Sequence, residues 1–209
     1  MGNNATKMAQ DAMGATKKAQ MAVGSGLQSM NKCISKETGE REDAAMGVPV
    51  TIGLHGPEIV IDGDGMRVSG QGVALASEPI GQDRAYFEFK IARDGDWAVG
   101  VAKKAAHAKD GHLGQEAVSW GLRASQLTCL EGDVVGVAFD QGDMPTKLKF
   151  YHNGNAQGEH TIEGIRGEVY PAVSVSEHAS LLCEFDGENG FIYPPPAGFS
   201  GVIACRSLM

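Results

Sequence analysis

The residues with the most specific chemistry stand at the start of the chain. The N-terminus reads MGNNATK, which fits the myristoylation pattern M-G-x-x-x-[ST], with Gly2 as the acceptor and Thr6 at the required position. One myristoyl chain binds a membrane only weakly, so a second signal is normally needed. Residues 1–36 carry a net charge of +4, and palmitoylation of Cys33 would add a second lipid. The sequence therefore predicts lipidation at Gly2 and Cys33.

A ten-residue repeat follows this motif. Ala5–Gly14 and Ala15–Gly24 are identical at seven of ten positions and are rich in Ala, Lys, Gln and Met, which favour helix. The apolar stripe is thin, because alanine carries little apolar area. Two interpretations stay open for this helix-prone or disordered arm. It contacts an anionic membrane surface, or it docks between protein neighbours in a cytoskeletal or axonemal assembly.

The six histidines of the chain invite a catalytic or metal-binding interpretation. His107 and His112 flank Asp110 in one long loop, but no pair has the spacing of H-E-x-x-H on a helix. The chain also has no G-x-S-x-G nucleophile elbow and no P-loop. The sequence therefore predicts a protein that is not an enzyme, with no catalytic residue, no metal site and no cofactor.

Charge is distributed unevenly between the two parts of the chain. The total is −8, so the +4 of residues 1–36 leaves −12 for residues 37–209. An acidic body repels a phosphate backbone, so nucleic acid is not expected as a partner. The same charge favours a basic peptide.

The elements that must position any site begin at Val48, where the helical period ends. Polar residues 37–47 form a linker, and the domain division is an arm at 1–47, a β-sandwich at 48–204 and a short tail at 205–209. Short β-rich runs alternate with Gly, Asp and Asn turns, and Asn153-Gly154 is typical of a hairpin. This pattern predicts an all-β antiparallel two-sheet sandwich. The predicted strands are Glu58–Asp62, Met66–Gly70, Ala74–Ser77, Arg84–Ala92, Asp96–Ala102, Asp133–Asp140, Lys147–His152, Val169–Val175 and Ser180–Phe185.

Alternation along these strands predicts the core. In Arg84–Ala92, one side carries Phe87, Phe89 and Ile91, and the other carries Tyr86, Glu88 and Lys90. The other large apolar residues of the strands complete the predicted core: Trp97, Val99, Val101, Val135, Val137, Phe139, Leu148, Phe150, Val173, Val175 and Leu182.

Five ordered pieces of these strands resemble the SPRY domain family. They are RAYFEFKI, then WAVGVA at Trp97–Ala102, GDVVGVAFD at Gly132–Asp140, FYHNG at Phe150–Gly154 and VYPAVSV at Val169–Val175. The likeness extends from about residue 57 to residue 201 and is strongest to the small stand-alone SPRY proteins. The resemblance implies a bent sandwich that acts as a non-catalytic interaction module and holds protein or peptide partners on the loops of one edge.

The resemblance also suggests where a partner binds. SPRY domains of the SOCS-box type use an aromatic residue just after the YPAVSV strand, and here Glu177 stands near that place, followed by His178. Asp96 and Gln115 fall near other pocket positions. The long loop Lys103–Val118 adds His107 and His112, because long loops in compact domains are often functional. The expected protein is a cytoplasmic adaptor, tethered to a membrane or held in a cytoskeletal or ciliary assembly.

Overall fold

The fold is an antiparallel β-sandwich with short helical turns. The computed structural model describes residues 48–63, 65–108 and 112–204. Gly2, Cys33, the rest of the arm and the tail 205–209 lie outside these residues, so the arm, its lipidation and the domain limits stay predictions. The strands are β1 Ile52–His55, β2 Ile59–Asp62, β3 Arg67–Gly70, β4 Gly72–Ala76, β5 Arg84–Arg93, β6 Asp96–Ala102, β7 Ser119–Arg123, β8 Val134–Asp140, β9 Lys147–His152, β10 Asn155–Ala156, β11 Ile162–Glu163, β12 Tyr170–Ser176 and β13 Ser180–Glu184.

Two sheets form the layers. The five-stranded sheet has the order β1-β4-β12-β6-β7, and the eight-stranded sheet has the order β10-β9-β8-β5-β13-β3-β2, with β11 beside β9. The pairings between these strands are antiparallel in both sheets. The described helical segments are three 3₁₀ turns, at Lys104–Ala108, Ala124–Gln126 and Gly158–His160, and no helix in this part of the chain could cross a membrane. The predicted fold class is therefore confirmed.

The core lies between the sheets and is built around aromatic residues. Phe87, Phe89 and Phe185 are fully buried, with ring centroids 5.7 to 6.4 Å apart. Trp97 lies opposite them in the same apolar cluster. Burial of each such side chain contributes about 1.5–3 kcal/mol to folding, so these residues explain why the alternating strands come together.

The sequence analysis assigns one residue, Leu182, to the core wrongly. Leu182 is only partly buried, whereas its neighbours Leu181 and Cys183 are buried. Two consecutive leucines in a strand face opposite sides of a sheet, and Leu181 belongs to the inward set with Cys183 and Phe185. In the pairing with β5, Leu181 lies opposite Ile91 and Cys183 lies opposite Phe89, and both partners are buried on the inward face.

β5 is buried on both faces. Its inner face carries Phe87 and Phe89, as predicted, but on the outer face Tyr86 and Glu88 are only 1% and 2% exposed. A later segment covers them, because the main-chain N–H groups of Ile192 and Tyr193 donate to the two carboxyl oxygens of Glu88. The alternation along β5 therefore separates two faces that are both buried, and does not separate a buried face from an exposed one.

Candidate interaction edge

Asp96 joins two of the predicted binding segments. It is the first residue of β6, and the register pairs it with Ser176 at the end of β12. Ser176 Oγ donates to Asp96 Oδ2 over 3.3 Å, and His112 Nε2 lies 3.4 Å from the same oxygen. The Asp96 side chain is 39% exposed, so it remains open to a partner.

The turn between β12 and β13 carries the next two predicted residues. Glu177 and His178 are exposed and have φ angles of 48° and 70°, the left-handed conformation of a tight turn. The turn is packed against Gly95, where a Cβ would lie 2.6 Å from Glu177 O and 2.6 Å from Ala179 N. Glycine at this position therefore lets the two turns approach closely.

The long loop between β6 and β7 is anchored near its centre. Leu113 is fully buried, and its N–H donates to Ser174 Oγ over 3.1 Å. This contact holds the neighbouring His112 beside Asp96. Gln115 is exposed further along the same loop, with its N–H bonded to His112 O at 3.3 Å. His107 lies in the turn Lys104–Ala108, and its side chain is outside the described part.

The structure therefore brings Asp96, His112, Glu177 and His178 to one end of the sandwich, with Gln115 on the adjoining loop. Whether they bind a partner stays a prediction. Two further acids adjoin this end. The N–H of Asp94 donates to Glu131 Oε1 over 3.3 Å, and Asp94 directly precedes Gly95.

We call Asp94, Asp96, Glu131 and Glu177 the acidic edge. Arg93 is exposed beside Asp94, but one guanidinium against four carboxylates leaves the group net acidic.

The sequence analysis missed a cluster of three residues whose side chains can bind a metal ion, which lies next to the acidic edge. One ligand atom each from Cys129, Asp133 and His152 lies within 4.8 Å of the others, and His152 Nε2 is 3.0 Å from Asp133 Oδ2. In the sequence, His152 only precedes a hairpin turn. The pairing of Val135 with His152 across β8 and β9 brings the histidine beside Asp133, and nothing in the residue spacing predicts that register.

Hydrogen bonds and burial set the electrostatics of this cluster. Asn153 Nδ2, the N–H of Leu130 and His152 all bond to the Asp133 carboxylate and, in that order, lower its pKa to about 2. Burial, followed by the charges of Asp133 and Asp94, raises the pKa of the Cys129 thiol to about 11. With such a pKa the thiol is a poor nucleophile at neutral pH.

A hollow of about 530 Å³ lies elsewhere, on the outer face of the eight-stranded sheet. Its lining includes Arg67 and Lys90 as well as Asp62, Glu88 and Glu184, with Leu182 among the apolar residues. Charges of both signs therefore lie side by side in the hollow. The acidic edge, by contrast, presents one sign.

Comparison with known proteins identifies the relatives of the chain. A model of the SPRY domain matches residues 84–188. The proteins called SPRY domain-containing protein 7 in Gallus gallus and Homo sapiens are each 35% identical over 164 residues, which cover 71% of this chain and 79% of theirs. The solved TRIM65 PSpry domain has a TM-score of 0.51 at 15% identity, covering 65% of this chain and 89% of that one. These matches confirm the resemblance and the fold.

Proposed function

Because the chain belongs to the SPRY domain family, whose domains are protein-interaction modules, we propose that it is a non-catalytic adaptor whose acidic edge binds a basic peptide segment of a partner protein. The observation that carries the proposal is the convergence of four acidic residues from three connections between strands at one end of the sandwich. Charges of one sign attract the opposite charge, accelerate encounter and discriminate against acidic partners.

Rigidity supports the same function. Leu113 anchors the long loop, and Gly95 lets the two neighbouring turns pack together. Loops that are held in place lose little conformational entropy when a ligand binds, so more of the contact energy is available for affinity.

The chemistry of the edge also predicts how binding responds to salt. Glu177 stands near the place where SOCS-box-type SPRY domains have an aromatic residue, so a charge lies where those domains have a large apolar anchor. Interactions between exposed charges are screened over about 8 Å at physiological ionic strength. Binding is therefore expected to weaken steeply as salt is raised.

Arrayed peptides rich in lysine and arginine test the proposal, with matched peptides in which glutamate replaces the basic residues. The full chain is expected to select basic peptides. In the double variant Asp96→Asn, Glu177→Gln the affinity for the best peptide should fall roughly three- to tenfold, since each exposed ion pair contributes up to about 1 kcal/mol. Fluorescence anisotropy at two salt concentrations measures this loss.

Glu163→Gln is the matched control. Glu163 is an exposed acid on β11 beside Lys147, at the far end of β9 from His152 and so away from the edge. It should leave affinity unchanged. An equal loss for each charge removed, in the control and in the double variant, would show that only the overall charge matters, and selection of acidic peptides would refute the proposal.

The arm adds a proposal about location. Myristoylation of Gly2, supported by the lysines of residues 1–36 and by Cys33, would hold the adaptor at an anionic membrane surface. Azido-myristate should label the full chain expressed in eukaryotic cells, and Gly2→Ala should abolish the label. An unlabelled wild-type chain in a detergent-resistant, salt-extractable fraction would instead favour docking in a cytoskeletal or axonemal assembly.

A further inference from the structure

A second site adjoins the acidic edge and differs from it in chemistry. We propose that Cys129, Asp133 and His152 bind one zinc ion, with the fourth coordination position open to solvent. Thiolate, imidazole and carboxylate are the ligands that zinc takes from proteins, and three protein ligands with one free position is the arrangement of an open zinc site. This proposal does not depend on the peptide-binding function.

Interatomic distances support the ligand set. Two ligands of a tetrahedral zinc ion lie about 3.4–3.6 Å apart, given bonds of about 2.0–2.3 Å. His152 Nε2 and Asp133 Oδ2 are 3.0 Å apart, and the Cys129 sulfur lies within 4.8 Å of both. Side-chain movements of less than about 1.5 Å therefore convert the cluster to a zinc geometry.

The backbone holds two of the ligands in register. Asp133 immediately precedes β8 and His152 ends β9, on neighbouring strands of one hairpin. Asn153 Nδ2 donates to Asp133 Oδ1 over 2.9 Å, while Asn153 Oδ1 accepts the N–H of Val134 at 2.9 Å. Such outer hydrogen bonds orient metal ligands and tighten binding.

The third ligand is carried by a closed loop. The N–H of Leu130 donates to Asp133 Oδ2 over 2.9 Å, and the N–H of Asp133 donates back to Leu130 O over 3.0 Å. Gly132 N–H donates to Ile91 O over 2.7 Å and ties the loop to β5. These bonds fix Cys129, the residue before Leu130, close to the other two ligands.

Surrounding charges and exposure also suit a cation. Asp94 and Glu131 lie beside the cluster and add negative potential. The side chains of Asp133 and His152 are 24% and 25% exposed, so an ion can enter and keep a water molecule as its fourth ligand. When Zn²⁺ binds, the thiol proton leaves to solvent, and neutral His152 binds through Nε2 with its remaining proton on Nδ1. The thiolate and carboxylate together neutralise the two charges of the ion.

Cobalt substitution tests the thiolate directly. The full chain is freed of metal with a chelator and titrated with Co²⁺, then with Zn²⁺ in competition with a chromophoric chelator. The expected result is one ion per chain, with a sulfur-to-cobalt charge-transfer absorption that zinc abolishes. Zinc should also raise the melting temperature, because it binds only the folded site.

Cys129→Ser should remove the sulfur absorption, lower the zinc affinity by roughly tenfold or more and reduce the rise in melting temperature at a given zinc concentration. His152→Gln should weaken zinc binding but keep the sulfur band. The matched control Cys33→Ser, Cys205→Ser changes the two thiols outside the described residues and should behave as wild type. A wild-type chain with no sulfur band, or a Cys129→Ser variant that keeps it, would overturn the proposal.

Discussion

The outer faces of the two sheets are both covered, but by different means. The outer face of the five-stranded sheet, here the loop-covered face, is apolar and is closed by Leu113 of the long loop. The outer face of the eight-stranded sheet, here the tail-covered face, is covered in part by the segment 187–193, which we call the covering tail to distinguish it from residues 205–209. Phe191 packs edge-on against Tyr86 at 5.1 Å, and Glu88 accepts hydrogen bonds from the segment. The apolar cluster on this face consists of Val73, Leu75, Ala98, Ala102, Tyr170 and Ala172 of the sheet and of Ala106 and Leu113 of the loop.

Because the two covers are held differently, mutations should destabilise them in different ways. Apolar contacts are non-directional, so the loop-covered face loses stability in proportion to the area removed. The tail-covered face depends on three donors that meet at the carboxyl group of Glu88: Tyr86 Oη and the N–H groups of Ile192 and Tyr193. Removing that one acceptor leaves three polar groups without a partner.

The largest effect is expected from Glu88→Ala. The variant should lower the free energy of unfolding by about 3–5 kcal/mol, because each buried donor left without a partner costs about 1–3 kcal/mol and the donors that reach water recover part of this. Urea unfolding measures the change. Chymotrypsin should also cleave faster near Phe191, since the covering tail is released.

Glu88→Gln refines this experiment. Glutamine keeps the shape and one acceptor oxygen but turns an NH₂ group toward the donors, so its loss should be intermediate. Glu58→Ala, at an exposed acid, is the control and should change stability by less than about 0.5 kcal/mol. A Glu88→Ala variant as stable as the control would mean that the covering tail is held by aromatic packing alone.

The loop-covered face should respond less. Leu113→Ala should lower the free energy of unfolding by about 2 kcal/mol, near the lower end for a buried leucine, because a surface loop can collapse into the space. Proteolysis within residues 103–118 should accelerate while cleavage near Phe191 does not. Leu113→Met, which conserves volume, should cost less than about 1.5 kcal/mol. Faster cleavage at both places would show that the two covers are coupled.

The same contrast explains what the sequence could predict. Strands with strict alternation, such as β5 and β8, were predicted within two residues of their limits, because the inward residues are large and apolar. The sequence misses four strands. β1 and β7 lie at the edges of the five-stranded sheet, where IGLH and SWGLR carry glycine and a weak pattern, and β10 and β11 have only two residues each. The burial of Glu88 was not predictable from its own strand, because the cover comes from residues more than 100 positions later.

The two candidate sites also differ in how far the sequence predicts them. Asp96, Glu177 and His178 came from a family resemblance that fixes loop positions along the strands, and the structure brings Asp96 near the Glu177 turn. No family resemblance indicates the cluster of Cys129, Asp133 and His152. It depends on the register of one hairpin and on a loop closed by its own hydrogen bonds, which composition and spacing do not encode.

The smallest effect expected is a difference in pH dependence between the two faces. Burial, with a contribution from neighbouring Asp186, raises the pKa of Glu184, which accepts hydrogen bonds from Gly187 N–H and Asn189 at the start of the covering tail. The folded state therefore holds this proton more tightly than the unfolded state. Its stabilising effect is complete below the unfolded pKa of about 4.3 and is lost as pH rises through the folded pKa.

Cleavage near Phe191 should therefore accelerate slightly, relative to cleavage in the long loop, as the pH is raised from about 4 toward 7. Taking the ratio of the two cleavage rates at each pH corrects for the protease's own pH profile. Glu184→Gln cannot titrate and should flatten that ratio. The effect is small because Glu184 is only partly buried and solvent screens its charge. A ratio that falls with pH in the wild type, or that rises equally in Glu184→Gln, would assign the pH response to another group on the tail-covered face.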